Sequence, residues 1–103
     1  MSETIVAIAS PPGMGAVSVI RLSGSRAFEI VCSVIKGESL PEPRRVGLRS
    51  IQDEAGRVID EGLLITFEGP ASYTGENVVE FTGHGGIVVT RRVLERFVEA
   101  GAT

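Results

Sequence analysis

The sequence predicts an α+β fold in which two helices cover one face of a mixed or antiparallel β-sheet. Three observations carry this. Apolar residues switch along the chain between period 2 and period 3.6, which gives the order β-β-α-β-β-β-α. Both helical stretches set an apolar face against a polar one. The chain has 103 residues, enough for one domain with one core, and no repeat, low-complexity tract or linker divides it.

The elements follow in order. Residues 4–9 are almost wholly apolar and read as a strand buried on both faces. Pro11-Pro12-Gly13-Met14-Gly15 interrupts it, because prolines lack the N–H a ladder needs. Residues 16–22, rich in Val and Ile, form a second strand. Ser23-Gly24-Ser25 offers a helix N-cap, Phe28, Val31, Cys32 and Ile35 share one helical face, and Gly37 fits a C-terminal stop. After a loop at residues 41–43, strands at 45–52 and 58–67 flank the turn Asp53-Glu54-Ala55-Gly56 as a hairpin. Leu63, Ile65 and Phe67 share a face of the second of these strands. A loop at 68–75 leads to a fifth strand, 77–82, with Val79 and Phe81 on one side and Val78 and Glu80 on the other. Gly83-His84-Gly85-Gly86 opens the last helix, with Thr90, Val93, Leu94, Phe97 and Val98 inward, Arg91, Arg92, Glu95, Arg96 and Glu99 outward, and Gly101 at its end.

Composition excludes several functions. A net charge of −3 lacks the basic stripe a stand-alone nucleic-acid binder needs to displace counterions from phosphate. A single cysteine, Cys32, forms no internal disulfide, and its place on the apolar helix face predicts a buried structural thiol. No string of Gly, four residues, then Gly-Lys-Ser/Thr occurs, so nucleotide binding in the P-loop manner is excluded. One Cys and one His make no zinc site. The N-terminus has neither a basic segment nor a long apolar one, and no stretch is of membrane-spanning length, so the chain reads as soluble and cytoplasmic.

Four residues stand out as site candidates. Arg21 and Glu80 are charges embedded in apolar strands, where each is either solvent-facing or paired. The pair reads either as a structural bridge or as a polar anchor for a planar ligand. Gly83 and His84 lie at a strand-to-helix turn, where His84 either meets a ligand, caps the helix or bonds the backbone. The thirteen glycines, roughly twice the ~7% of ordinary chains, concentrate at such turns, where backbone turns sharply or lies close to a ligand.

Three strings carry a resemblance: Thr4-Ile5-Val6-Ala7 through Pro11-Pro12-Gly13 to Val19-Ile20-Arg21-Leu22-Ser23-Gly24, then Gly69-Pro70-Ala71-Ser72-Tyr73-Thr74-Gly75-Glu76, then Val79-Glu80-Phe81-Thr82-Gly83-His84-Gly85-Gly86. In register over essentially all of residues 1–103, they resemble the N-terminal domain of the MnmE (TrmE) family of tRNA modification GTPases. The resemblance implies half of a T-protein-like folate-binding domain that forms a homodimer. It implies a tetrahydrofolate ligand of the 5-formyl or 5,10-methylene type. The family's folate-contacting arginine and glutamate fall on Arg21 and Glu80, with Gly83 and His84 as weaker contacts, and a lysine contact is expected beyond position 103. No catalytic residue and no metal site is expected in this domain. GTP, magnesium and potassium belong to a G domain that residues 1–103 do not include. The whole protein is expected to work with an MnmG-like partner on the wobble uridine of tRNA, which this domain meets only indirectly, with no membrane involved. Met14 stands where the family usually has Arg, and Asn77 where Asp is common. The alternative reading is a structural dimerisation module that has lost folate binding. A free-standing T-protein-like transferase is disfavoured, because the sequence offers no convincing general base.

Overall fold

The computed structural model describes residues 3–10, 17–72 and 74–103. The loop around Met14 and the aromatic Tyr73 lie outside the described residues. Five strands, β1 (Ile5–Ile8), β2 (Val17–Ser23), β3 (Val46–Gln52), β4 (Val58–Phe67) and β5 (Val78–His84), alternate with helices α1 (Ala27–Cys32) and α2 (Ile87–Glu99) in the expected order. The strands form one sheet ordered β1-β2-β5-β4-β3. Every pairing is antiparallel, so the sheet is not mixed.

Both helices pack on one face of this sheet. Val6, Ile20, Leu22, Leu64, Val79 and Phe81 point into a core that Ile30 and Val31 of α1 and Val93 and Phe97 of α2 close. In α2, Thr90, Val93 and Phe97 are buried as the period requires, whereas Val98 is turned outward. The β3–β4 hairpin turns as expected: the Asp53 carboxylate accepts the N–H groups of Ala55 and Arg57, and Gly56 takes a left-handed φ of 83°.

Three expectations need correcting. β1 is not buried on both faces. It is an edge strand of which only Val6 is covered, while Ile5 and Ile8 are exposed. An apolar run signals double burial only where layers lie on both sides, and among the described residues one side of the sheet carries no helix or second sheet. Secondly, Ser23-Gly24-Ser25 does not cap α1. Ser23 is the last residue of β2, and its hydroxyl meets that of Thr74. The N-cap is Arg26, with no side-chain cap, and its backbone N–H donates to the Thr4 hydroxyl. Thirdly, α1 ends at Cys32, short of Ile35 and Gly37. Residues 34–36 are drawn onto β3 instead: Gln52 N–H donates to the Val34 carbonyl, Lys36 N–H donates to the Ser50 carbonyl, and Ile35 bridges Ile51. The face of α1 is therefore Ala27, Ile30 and Val31, and Cys32 is exposed.

Candidate functional site

The uncovered face of the sheet carries the side chains of alternate residues in each strand. On it lie Ile5 and Ala7 of β1, Val17, Val19 and Arg21 of β2, Glu80 and Thr82 of β5, Leu63, Ile65 and Phe67 of β4, and Val46 and Leu48 of β3. Ile5, Val17, Val46, Leu48 and Leu63 are exposed large hydrophobics. An antiparallel sheet that faces water ordinarily turns polar residues to it. This one turns mainly apolar residues outward, with the Arg21–Glu80 ion pair at β2–β5 and the hydrogen-bonded Ser50 and Glu61 at β3–β4 among them.

That pair joins Arg21 and Glu80, which sit directly opposite each other in the β2–β5 ladder. Arg21 Nε donates to Glu80 Oε2 at 2.7 Å, and Nη2 reaches the same oxygen at 2.6 Å. The side chains are 40% and 16% exposed. Both guanidinium contacts thus fall on one carboxylate oxygen. Among the described residues, Oε1 accepts no hydrogen bond. The carboxylate is oriented by its partner yet keeps acceptor capacity on the open face. The sequence reading left open whether these charges pair or face solvent. They pair, on the face opposite the helices.

Residues 69–72 and 74–77 border this face. Gly69 N–H donates to the Asn77 side-chain oxygen, the Ser72 hydroxyl donates to the Glu76 carbonyl, and Thr74 meets Ser23 at 2.8 Å. Shallow grooves of about 400 and 390 Å³ flank them, the second lined by Arg44, Phe67, Pro70, Ala71 and Ser72. There the Arg44 guanidinium lies 5.8 Å from the Phe67 ring centroid, a cation–π distance.

His84 lies apart from the ion pair, at the end of β5, and among the described residues it neither caps α2 nor bonds the backbone through its ring. Its Nδ1 is 2.5 Å from Oδ1 of Asp60, which is buried. Sequence reasoning missed Asp60. Its signal was an acidic residue on the parity of β4 that also holds Gly62, Leu64 and Thr66, all buried. Gly83 is required by this arrangement, since a Cβ there would stand 2.3 Å from Asp60 Oδ2. Among the described residues no group of three His, Cys, Asp or Glu side chains is placed to hold a metal ion, and no helix is long and apolar enough to cross a membrane.

The family model described as the GTP-binding protein TrmE N-terminus matches residues 4–103. The chain belongs to this family. It is 48% identical over 101 residues to the tRNA modification GTPase MnmE of Halorhodospira halophila, covering 98% of this chain and 21% of that protein. It is 50% identical over 99 residues to the MnmE of Acinetobacter baylyi, covering 96% and 21%. With the MnmE of Campylobacter concisus the figures are 45% over 102 residues, 99% and 23%. The chain therefore spans about a fifth of the length of these relatives.

Proposed function

We propose that this domain binds a reduced folate on the open sheet face, with Glu80 as the principal contact and Arg21 as its orienting partner, and that it homodimerises through the same face. The observation that carries the reading is the Glu80 carboxylate, held by Arg21 through one oxygen with no hydrogen bond to the other among the described residues, in a mainly apolar field. A pterin presents an exocyclic amine beside a ring N–H, a paired donor edge that such a carboxylate accepts in two bonds. The flanking Val19 and Ile65 offer apolar surface for a flat ring. A contiguous apolar face of this kind marks an interaction surface, which supports the dimer.

Bound folate of the 5-formyl or 5,10-methylene type would supply a one-carbon unit. The chain's own residues bind and orient the ligand, and no residue is assigned a catalytic role. In the longer protein, the reading is a tRNA-modifying GTPase of the cytoplasm. Its GTP, magnesium and potassium are handled outside these residues, and an MnmG-like partner shares the work on tRNA. The apolar face also supports the second reading, assembly without folate. Titration with 5-formyltetrahydrofolate separates them: saturable binding supports the first, and a dimer that takes up no folate supports the second.

A further inference from the structure

Residues 42–45 make a tight turn just before β3, in which Arg45 N–H donates to the Glu42 carbonyl at 3.0 Å. Pro43 holds its second position and Arg44 its third, with φ 66°. This is the pattern of a type II turn, whose third residue needs a positive φ and is ordinarily Gly or Asn. An arginine there strains its own backbone, and the turn by itself would be better served by glycine. What the arginine brings is a guanidinium fixed in place. Its backbone N–H donates to the Thr66 carbonyl at 2.7 Å, Nη2 donates to the Ala71 carbonyl at 3.1 Å, and the Phe67 ring centroid lies 5.8 Å from the guanidinium. Arg45 beside it is paired with Glu42 at 3.8 Å, but among the described residues no carboxylate pairs with Arg44. Arg44 lines the groove of about 390 Å³ with Phe67, Pro70, Ala71 and Ser72. A cation held by a neutral carbonyl and a ring keeps its charge for an acidic ligand.

We propose that Arg44 binds the glutamate carboxylates at the tail of the folate whose pterin meets Glu80. The proposal rests on the folate reading above and concerns the end of the ligand that Glu80 does not reach. The ladder sets the separation. Glu80 pairs with Ile65, and Ile65 with Val46, two residues after Arg44. Arg44 is therefore two strands across and two residues along from Glu80, on the order of 12 Å at the spacings of a β-sheet. Val46, Ile65 and Phe67 occupy the interval, on the face that carries Glu80. In a folate the donor edge of the pterin and the glutamate carboxylates stand at opposite ends, joined through a flat benzoyl ring. Two polar ends and an apolar middle match Glu80, the interval and Arg44 in that order. The signs match as well: the pterin offers donors to a carboxylate, and the tail offers carboxylates to a guanidinium.

The test is calorimetric titration with two ligands, 5-formyltetrahydrofolate and 5-formyltetrahydropterin, which lacks the benzoyl-glutamate tail. Arg44→Gly is the variant to use, because glycine takes a φ of 66° without strain and should keep the wild-type fold by circular dichroism. It should weaken 5-formyltetrahydrofolate about fivefold, the upper end for a solvent-exposed ion pair, and leave 5-formyltetrahydropterin unchanged. The wild type supplies a second reading that needs no variant. Its affinity for 5-formyltetrahydrofolate should fall more steeply with added salt than its affinity for the pterin, because only the former includes an exposed ion pair. An equal loss for both ligands in Arg44→Gly would mean that Arg44 merely props residues 69–72, and would overturn the proposal. So would an undiminished affinity for 5-formyltetrahydrofolate, or the same salt dependence for both ligands in the wild type. If the wild type binds 5-formyltetrahydrofolate and Glu80→Ala does not, while Arg44→Gly binds it normally, only this inference falls. If the wild type binds neither ligand, both it and the folate reading fall.

Discussion

Arg21 spends both of its contacts to Glu80 on a single oxygen, and the candidate site depends on that detail. A lysine at position 21 would keep the charge but lose the planar fork. Arg21→Lys should therefore leave the fold intact by circular dichroism and weaken folate binding more than the conserved charge would suggest, by about an order of magnitude in titration. Gly83 is as tightly specified. A Cβ there meets Asp60 Oδ2 at 2.3 Å and Phe81 at 2.6 Å, and both are buried. Gly83→Ala should lower stability by about 1–3 kcal/mol, the cost of overpacking a core, read from denaturant unfolding. Arg21 and Glu80 were legible in the sequence because a charge inside an apolar strand interrupts its pattern. Asp60 interrupts its strand in the same way, and only the fold brings it to His84, 24 residues on. Cys32 was misplaced for a related reason. Six residues of helix fix too little of a face for spacing alone to separate Val31, fully buried, from the exposed Cys32 beside it.

Elements were legible where period and punctuation agree. β4 is found at residues 58–67 as read from its alternation, and α2 follows the Gly-rich turn that announces it. β5 runs two residues further than expected, through Gly83 and His84, because β2 continues to pair with it there. Where an element is decided by a distant neighbour, the sequence falls short. Residues 34–36 have the apolar spacing of a helix, yet β3 takes their backbone groups. The β3–β4 turn allows a test at this scale. Hydrogen bonding by the Arg57 N–H, joined by that of Ala55, lowers the Asp53 carboxyl below its ordinary 3.8, and the slight desolvation opposing this does not reverse it. A carboxyl with a lowered folded value adds stability above its unfolded pKa and loses it as pH falls through the folded one. Asp53→Ala should therefore reduce stability at neutral pH and less so in strong acid, so its thermal midpoint should converge with the wild type below pH ~3.8.

At the scale of the whole molecule, the fold divides the sheet into a face closed by α1 and α2 and a face left apolar and open. The class and element order were legible, because both helices have a single apolar side and so ask for a single layer. Which face the helices leave uncovered depends on register, which sequence does not fix. If the open face is where two copies meet, Leu63→Glu, placed on it and exposed, should convert a dimer to a folded monomer by light scattering at micromolar concentration. A wild type that is already monomeric there would contradict the assembly reading. The central claim is that Glu80 makes this face a folate site. It is tested most directly by calorimetric titration of 5-formyltetrahydrofolate into the wild type and Glu80→Ala side by side. The account predicts saturable binding by the wild type and a loss of about 100-fold or more in the variant, with its fold unchanged, because a buried donor pair would lose its charged acceptor. Equal affinity in the two proteins would contradict it.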